Sequence, residues 1–150
     1  MNQKSDAVIA AAMLLRRLEG CQLVKLKRFE FEWVFEFGPL KVLQVRCPWR
    51  ILLNGRIAFA DSDDGRQFGL PEPVKGEDAV MRIAKDETIR TVTIREDTGD
   101  LSVFLGPNVV LEVMNMSSGY EGWEIGADDM RVIGLGGGEL AVFVNDETRK

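Results

Sequence analysis

Lys25-Leu26-Lys27-Arg28-Phe29-Glu30-Phe31-Glu32-Trp33-Val34-Phe35-Glu36-Phe37-Gly38-Pro39 decides the fold. Lys27, Phe29, Phe31, Trp33, Phe35 and Phe37 alternate with Arg28, Glu30, Glu32, Val34 and Glu36. A period of two puts one aromatic and one charged face on a β-strand, and Gly38-Pro39 ends it.

Downstream, residues 40–47, 49–53 and 56–60 keep the strand pattern. Asn54-Gly55 joins the last two as a hairpin turn. Upstream, Val8, Ala11, Ala12, Leu15 and Leu18 recur at helical spacing. They predict a helix capped by Ser5 or Asp6, running to about Glu19 and closed by Gly20. Residues 61–73 are polar and rich in Asp, Gly and Pro, which predicts a loop. A second, weaker helix is predicted over 77–85, with Ala79, Val80 and Ile83 inward. Strands follow over 88–95, 101–105, 109–114, 123–125, 130–135 and 140–144, then a loose tail over 146–150.

The breaks recur in register. A shift of 68 residues lays Gly38-Pro39 on Gly106-Pro107 and Val42-Leu43-Gln44-Val45 on Val110-Leu111-Glu112-Val113. Upstream the same shift sets Val24 on Val92 and Leu26 on Ile94 without a gap. Further on, Trp49-Arg50-Ile51 matches Trp123-Glu124-Ile125 if about six residues are inserted after Met114. The expected fold is therefore α+β: an internally duplicated unit of one helix and antiparallel strands, mostly antiparallel sheet with two helices. Residues 1–150 form a single domain with repeats at about 7–60 and 75–145. The second unit turns at Asp97-Thr98-Gly99-Asp100, whose counterpart is residues 29–32. Residues 23–37 are thus expected to form a hairpin or a sharply bent strand, in keeping with strands of about 5–6 residues. So many short strands must hide their edges, which an orthogonal barrel or a sandwich achieves.

Composition narrows the chemistry. The chain has 150 residues, 19 basic and 24 acidic side chains, a net charge of −5 and no histidine. A net acidic surface disfavours a nucleic-acid partner. Without an imidazole, serine or cysteine nucleophiles activated by histidine and histidine-containing zinc sites are ruled out. Cys21 and Cys47 read as reduced, buried, small apolar residues; Arg46 beside Cys47 is weak support for a lowered thiol pKa. The apolar run over 7–15 is too short to span a bilayer, which takes about 20 residues, and it lacks a signal-peptide cleavage site. No cofactor, metal or membrane partner is expected, and the expected location is cytoplasmic.

Three strings invite a functional reading. Asp61-Ser62-Asp63-Asp64-Gly65 imitates a calcium loop, but Gly65 and Arg66 occupy positions five and six wrongly, so a solvated loop is expected. Gly134-Leu135-Gly136-Gly137-Gly138 is followed by a strand pattern where a phosphate site needs a helix, so it reads as a turn with positive φ. Tyr120-Glu121-Gly122-Trp123-Glu124-Ile125 places two carboxylates around an aromatic ring. Period two puts Glu121 and Trp123 on one face and Glu124 on the other. Trp123 is first a core anchor, and second part of a binding or carboxylate acid–base site. The aromatic face likewise reads first as core. Its distal end, Phe29 and Phe31, is the candidate for an exposed patch that meets another chain. The candidate binding residues are Phe29, Phe31, Trp49, Glu121, Trp123 and Glu124, with no catalytic residue assigned.

Cys47-Pro48-Trp49-Arg50, Thr98-Gly99-Asp100-Leu101, Tyr120-Glu121-Gly122-Trp123-Glu124 and Gly137-Gly138-Glu139-Leu140 together resemble a family of small bacterial β-rich domains of unknown function, some of them immunity-like. The resemblance is strongest over residues 120–140. It implies a bacterial protein without known catalytic residues and carries over no site. The expected function is a non-enzymatic binding or protein-interaction domain, with a protein partner or a second copy of itself. The alternative is a small-molecule binder or a carboxylate-dependent enzyme centred on Glu121, Trp123 and Glu124.

Overall fold

A computed structural model of the chain describes residues 3–144. The tail predicted over 146–150, and the last residue of the expected second repeat, lie outside the described residues. Helix α1 (Gln3–Leu15) is followed by β1 (Lys25–Arg28), β2 (Trp33–Glu36), β3 (Lys41–Val45), β4 (Trp49–Leu53) and β5 (Arg56–Ala60). Helix α2 (Gly76–Ile83) is followed by β6 (Ile89–Ile94), β7 (Leu101–Leu105), β8 (Val109–Val113), β9 (Trp123–Ala127), β10 (Met130–Gly134) and β11 (Leu140–Val144). No helix among the described residues is long and apolar enough to cross a membrane.

The strands make two antiparallel sheets. One runs β1-β2-β3-β9-β10-β11, the other β5-β4-β8-β7-β6. The chain therefore changes sheet twice, between β3 and β4 and between β8 and β9. β3 pairs with β9, with Val45 opposite Trp123, and β4 pairs with β8, with Trp49 opposite Val113. The backbone bonds beside these ladders come in reciprocal pairs. Arg46 N–H donates to Gly122 O at 2.8 Å, and Met114 N–H to Pro48 O at 2.9 Å. Asn54 N–H donates to Asn108 O at 2.9 Å, and Asp128 N–H to Leu40 O at 2.8 Å.

Alternation decides which side chains go inward. Leu101, Val103 and Leu105 of β7, Val109, Leu111 and Val113 of β8, and Trp123, Ile125 and Ala127 of β9 are buried at every second position. Both sheets and both helices contribute to one apolar cluster. Trp49 lies at its centre. Its ring meets those of Trp33 and Phe35, from the facing sheet, edge-on at 5.0 Å each. Such aromatic pairs contribute roughly 0.5–1.5 kcal/mol beyond the area they bury.

The helices close the two open sides. α1 packs against β11 and β6, and α2 against β1 and β5, so each bridges an edge strand of one sheet to an edge strand of the other. The outer edge of β5 is blunted in a second way. A bulge interrupts its pairing between Ile51 and Leu52, and Asp63 Oδ2 accepts the Ala60 N–H at 3.0 Å. Unpaired edges invite pairing with other chains, and bulges and inserted carboxylates discourage it.

Three expectations are corrected. α1 begins at Gln3, so Ser5 and Asp6 lie within its first turns, and Ser5 Oγ bonds Glu96 Oε1 at 2.6 Å. Ala12 is exposed beside Ile9 and Met13, because the helix turns Ala11, Leu15 and the following Leu18 to the core. The gap-free match of Val24 with Val92 also fails. Val24 is exposed, whereas Leu26 is buried opposite Phe35 as Val92 is opposite Val103. A gap-free match cannot hold across both turns, because the turn after Ile94 is longer than the turn after Arg28.

Candidate functional site

The long aromatic stretch is a hairpin: Arg28 pairs with Trp33, and Phe29 N–H donates to Glu32 O at 2.7 Å. The parity of the sequence therefore breaks at the turn. Trp33, Phe35 and Phe37 are buried, but Phe29 is 45% exposed and Phe31 80% exposed. Lys27 Nζ covers the Phe29 ring at 5.1 Å.

Sheet register builds the rest of the site. Trp33 lies opposite Val45, and Val45 opposite Trp123. One step beyond the strand ends, Arg46 therefore falls between Glu32 on one side and Gly122 on the other. Its guanidinium lies 3.3 Å from Glu32 Oε2 through Nε and 3.7 Å from Glu121 Oε2 through Nη1. Neither approach is aligned as a hydrogen bond, and Glu32 Oε2 is buried without a hydrogen-bond partner. An open cleft of about 940 Å³ lies here, walled by Phe31, Arg46, Pro48, Met116, Tyr120 and Glu121.

The outer wall is the longer of the two sheet-to-sheet connections, and it is pinned from behind. Asp100 Oδ1 accepts the Asn115 N–H at 2.9 Å, and Asn115 Nδ2 donates to Thr98 O at 3.2 Å and Gly99 O at 3.1 Å. Ser117 Oγ accepts the amides of Gly119 at 3.1 Å and Tyr120 at 2.9 Å. Gly137 N–H donates to Ser117 O at 2.9 Å. With its backbone so held, the loop presents Met116, 74% exposed, and Tyr120, 83% exposed, to solvent. The glycine run is thereby explained in part by packing. Gly137 and Gly138 have φ of 74° and 87° as a turn requires. Gly136 does not, but a Cβ there would sit 2.5 Å from the backbone of Gly119.

Cys47 lies on the cleft floor. Burial pushes its thiol up to about 12, and the carboxylates Asp100 and Asp61 push it the same way. Arg46 does not make it a thiolate, and a thiol of this kind is a poor nucleophile. Neither Cys21 nor Cys47 is in a disulfide. Asp61, on the adjoining hollow beneath Phe29 and Glu30, has its carboxyl raised chiefly by burial.

The other candidates lie elsewhere. Trp49 and Trp123 are fully buried core side chains and not ligand-facing ones. Glu121 precedes β9 and faces the cleft beside Arg46, so it does not share a strand face with Trp123. Glu124 points outward from β9 and pairs with Arg131. Glu121, Trp123 and Glu124 therefore form no common centre. The Asp61–Gly65 carboxylates serve the backbone: Asp64 accepts the Gly76 N–H at 2.7 Å and pairs with Arg28, and Asp63 holds Ala60. Arg46, Met116 and Tyr120 are not among the candidate binding residues read from the sequence. No protein-family model, curated protein or solved structure matches the chain.

Proposed function

We propose that the chain is a non-catalytic protein-interaction domain that takes a segment of a partner protein into the cleft between Phe31 and Tyr120. One observation carries this reading: three large apolar side chains stand exposed around the cleft, Met116 and Tyr120 on a wall whose backbone is fixed and Phe31 on the β1–β2 turn. Contiguous exposed apolar groups on a monomer mark interaction surfaces. A prefixed loop loses little entropy on binding. The protonated Cys47 and the scattered carboxylates give the cleft no catalytic group. Unpaired thiols at Cys21 and Cys47 suit a reducing cytoplasm, and the resemblance to immunity-like domains points to the same class of role.

We also read the scaffold as a duplicated unit. The equal lengths of β3, β4 and β5 and of β8, β9 and β10, the equal registers of β3–β9 and β4–β8 and the reciprocal bonds at 46·122 and 114·48 support it. On this reading the two sheet-to-sheet connections are equivalent. The residues added to the second one build the outer wall of the cleft.

The test is selection of displayed random peptides on the immobilised protein. Selected peptides are expected to lose at least about tenfold in affinity for a Phe31→Ser/Tyr120→Ser variant that melts like the parent. Equal binding to both proteins would overturn the assignment of the cleft. Self-association that this variant abolishes would replace the foreign partner by a second copy.

A further inference from the structure

We propose that the segment docking in this cleft is cationic as well as apolar: a lysine or arginine of the partner seats on Glu121 and Glu32, with flanking aromatic or aliphatic residues against Phe31, Met116 and Tyr120. This rests on the reading of the cleft as a protein-docking site and adds the chemistry of what docks. The cleft and the hollow that continues it carry four carboxylates, Glu30, Glu32, Asp61 and Glu121. Their cations are Arg46 and Arg28. Arg28 is already committed, since it pairs with Asp64 and lies over the Trp33 ring at 5.4 Å. Arg46 alone faces two carboxylates, at 3.3 and 3.7 Å, and Glu30 makes no ion pair among the described residues. The local charge is thus net negative around an apolar surface.

A second observation is independent of that count. Glu32 Oε2 is buried and accepts no hydrogen bond among the described residues, its 3.3 Å approach to Arg46 Nε being an ion pair only. Buried acceptors without donors are uncommon and costly in folded proteins. The Glu32 side chain is 22% exposed, so an entering ammonium or guanidinium meets its accessible part rather than Oε2, and charge-assisted bonds to carboxylates are the stronger kind. Phe31 and Tyr120 line the same cleft, and the faces of such rings attract positive charge. Both aromatic walls and both carboxylates thus favour one ligand type.

The experiment uses the full chain and a displayed library of random twelve-residue peptides. Sequences whose binding depends on the cleft are expected to be enriched in Lys or Arg beside Trp, Phe or Leu. A synthetic winner should weaken at least about tenfold against Glu32→Gln/Glu121→Gln. Replacing its cation by norleucine should weaken it comparably. Both changes together should cost little more than either alone. Glu121→Lys should turn the selected sequences acidic. Cleft-dependent peptides without a cationic residue, or binding indifferent to the Gln variant, would overturn the inference while leaving the cleft as a docking site. Peptides indifferent to Phe31→Ser/Tyr120→Ser, or none selected at all, would overturn the docking reading itself. Glu121→Gln alone, on a half-exposed side chain, serves as the second variant if the double one melts early.

Discussion

Trp123 donates its indole N–H to the carbonyl oxygen of Gly99 across 2.9 Å. A fully buried ring of β9 is thereby fixed to the turn that joins β6 to β7, and that turn is what holds Asn115 and the outer wall of the cleft. Trp123→Phe removes the donor and keeps most of the apolar ring. Gly99 O retains the Asn115 amide at 3.1 Å, so the carbonyl is not stripped of partners. The expected loss is about 1–2 kcal/mol, within the usual cost of a buried hydrogen bond. Urea unfolding with an unchanged m-value measures it.

Gly134 lies beneath the same ring. A Cβ at this position would sit 2.4 Å from Trp123 Nε1, with the neighbouring pyrrole carbons close behind. Gly134→Ala should therefore destabilise by roughly 1–3 kcal/mol through overpacking. The penalty should shrink in the Trp123→Phe background, where those atoms are gone. A double-mutant cycle measures the coupling, and strict additivity would contradict the packing described here.

At the start of α2, Asp64 Oδ1 accepts the Gly76 N–H from twelve residues upstream, at 2.7 Å. Lys75, which precedes the helix, provides no side-chain cap. Asp64→Ala should cost about 1 kcal/mol, as the loss of a capping acceptor does, and Asp64→Asn should cost less. Thermal melts at equal protein concentration separate the two.

The Cys47 thiol makes a prediction about pH. Its value in the fold is raised from 9.0 to about 12, chiefly by burial. Below pH 9 the thiol is protonated folded and unfolded, so it does not alter the pH dependence. Between about pH 9 and 12 the unfolded chain loses the proton and the folded one keeps it. Stability therefore falls as pH rises through this window. Cys47→Ser should flatten that slope. Alkylation by iodoacetamide at pH 8, in a Cys21→Ser background, should be much slower in the native state than in urea.

Much of the fold could be read from the sequence because it is local. Strand runs of five residues, Asn54-Gly55 and the two Gly-Pro turns mark their own boundaries. The turn at residues 29–32 was recoverable only by comparison with Asp97-Thr98-Gly99-Asp100, because alternation continues through it unbroken. The site was far less legible. Phe31, Arg46 and Tyr120 lie in three separate loops, and only the pairing of β2, β3 and β9 brings them together. Phe31 and Glu121 were singled out for different reasons, and nothing in the sequence said that both meet Arg46. The extra residues after Met114 were visible as a difference in length. That they form a wall follows from Asp100, Ser117 and Gly136, whose partners are fixed only in the fold. Trp49 and Trp123 stand out by rarity alone, and rarity does not separate a core ring from a binding one.

Phe31 and Phe35 occupy like positions in the aromatic alternation and opposite ones in the molecule, so parallel substitutions should diverge. Phe35 is fully buried, with its ring 5.0 Å from that of Trp49. Phe35→Ala should lose about 3–5 kcal/mol, the usual cost of removing a core aromatic. Phe31 is mostly in water and pairs with no other ring. Phe31→Ser, and likewise Tyr120→Ser, should shift stability by no more than about 0.5 kcal/mol. Urea denaturation of the three variants under one condition checks the contrast. A loss above about 2 kcal/mol for Phe31→Ser would place its ring in the core. A neutral result leaves the aromatic wall removable without harm to the scaffold, and any binding it then loses belongs to the cleft.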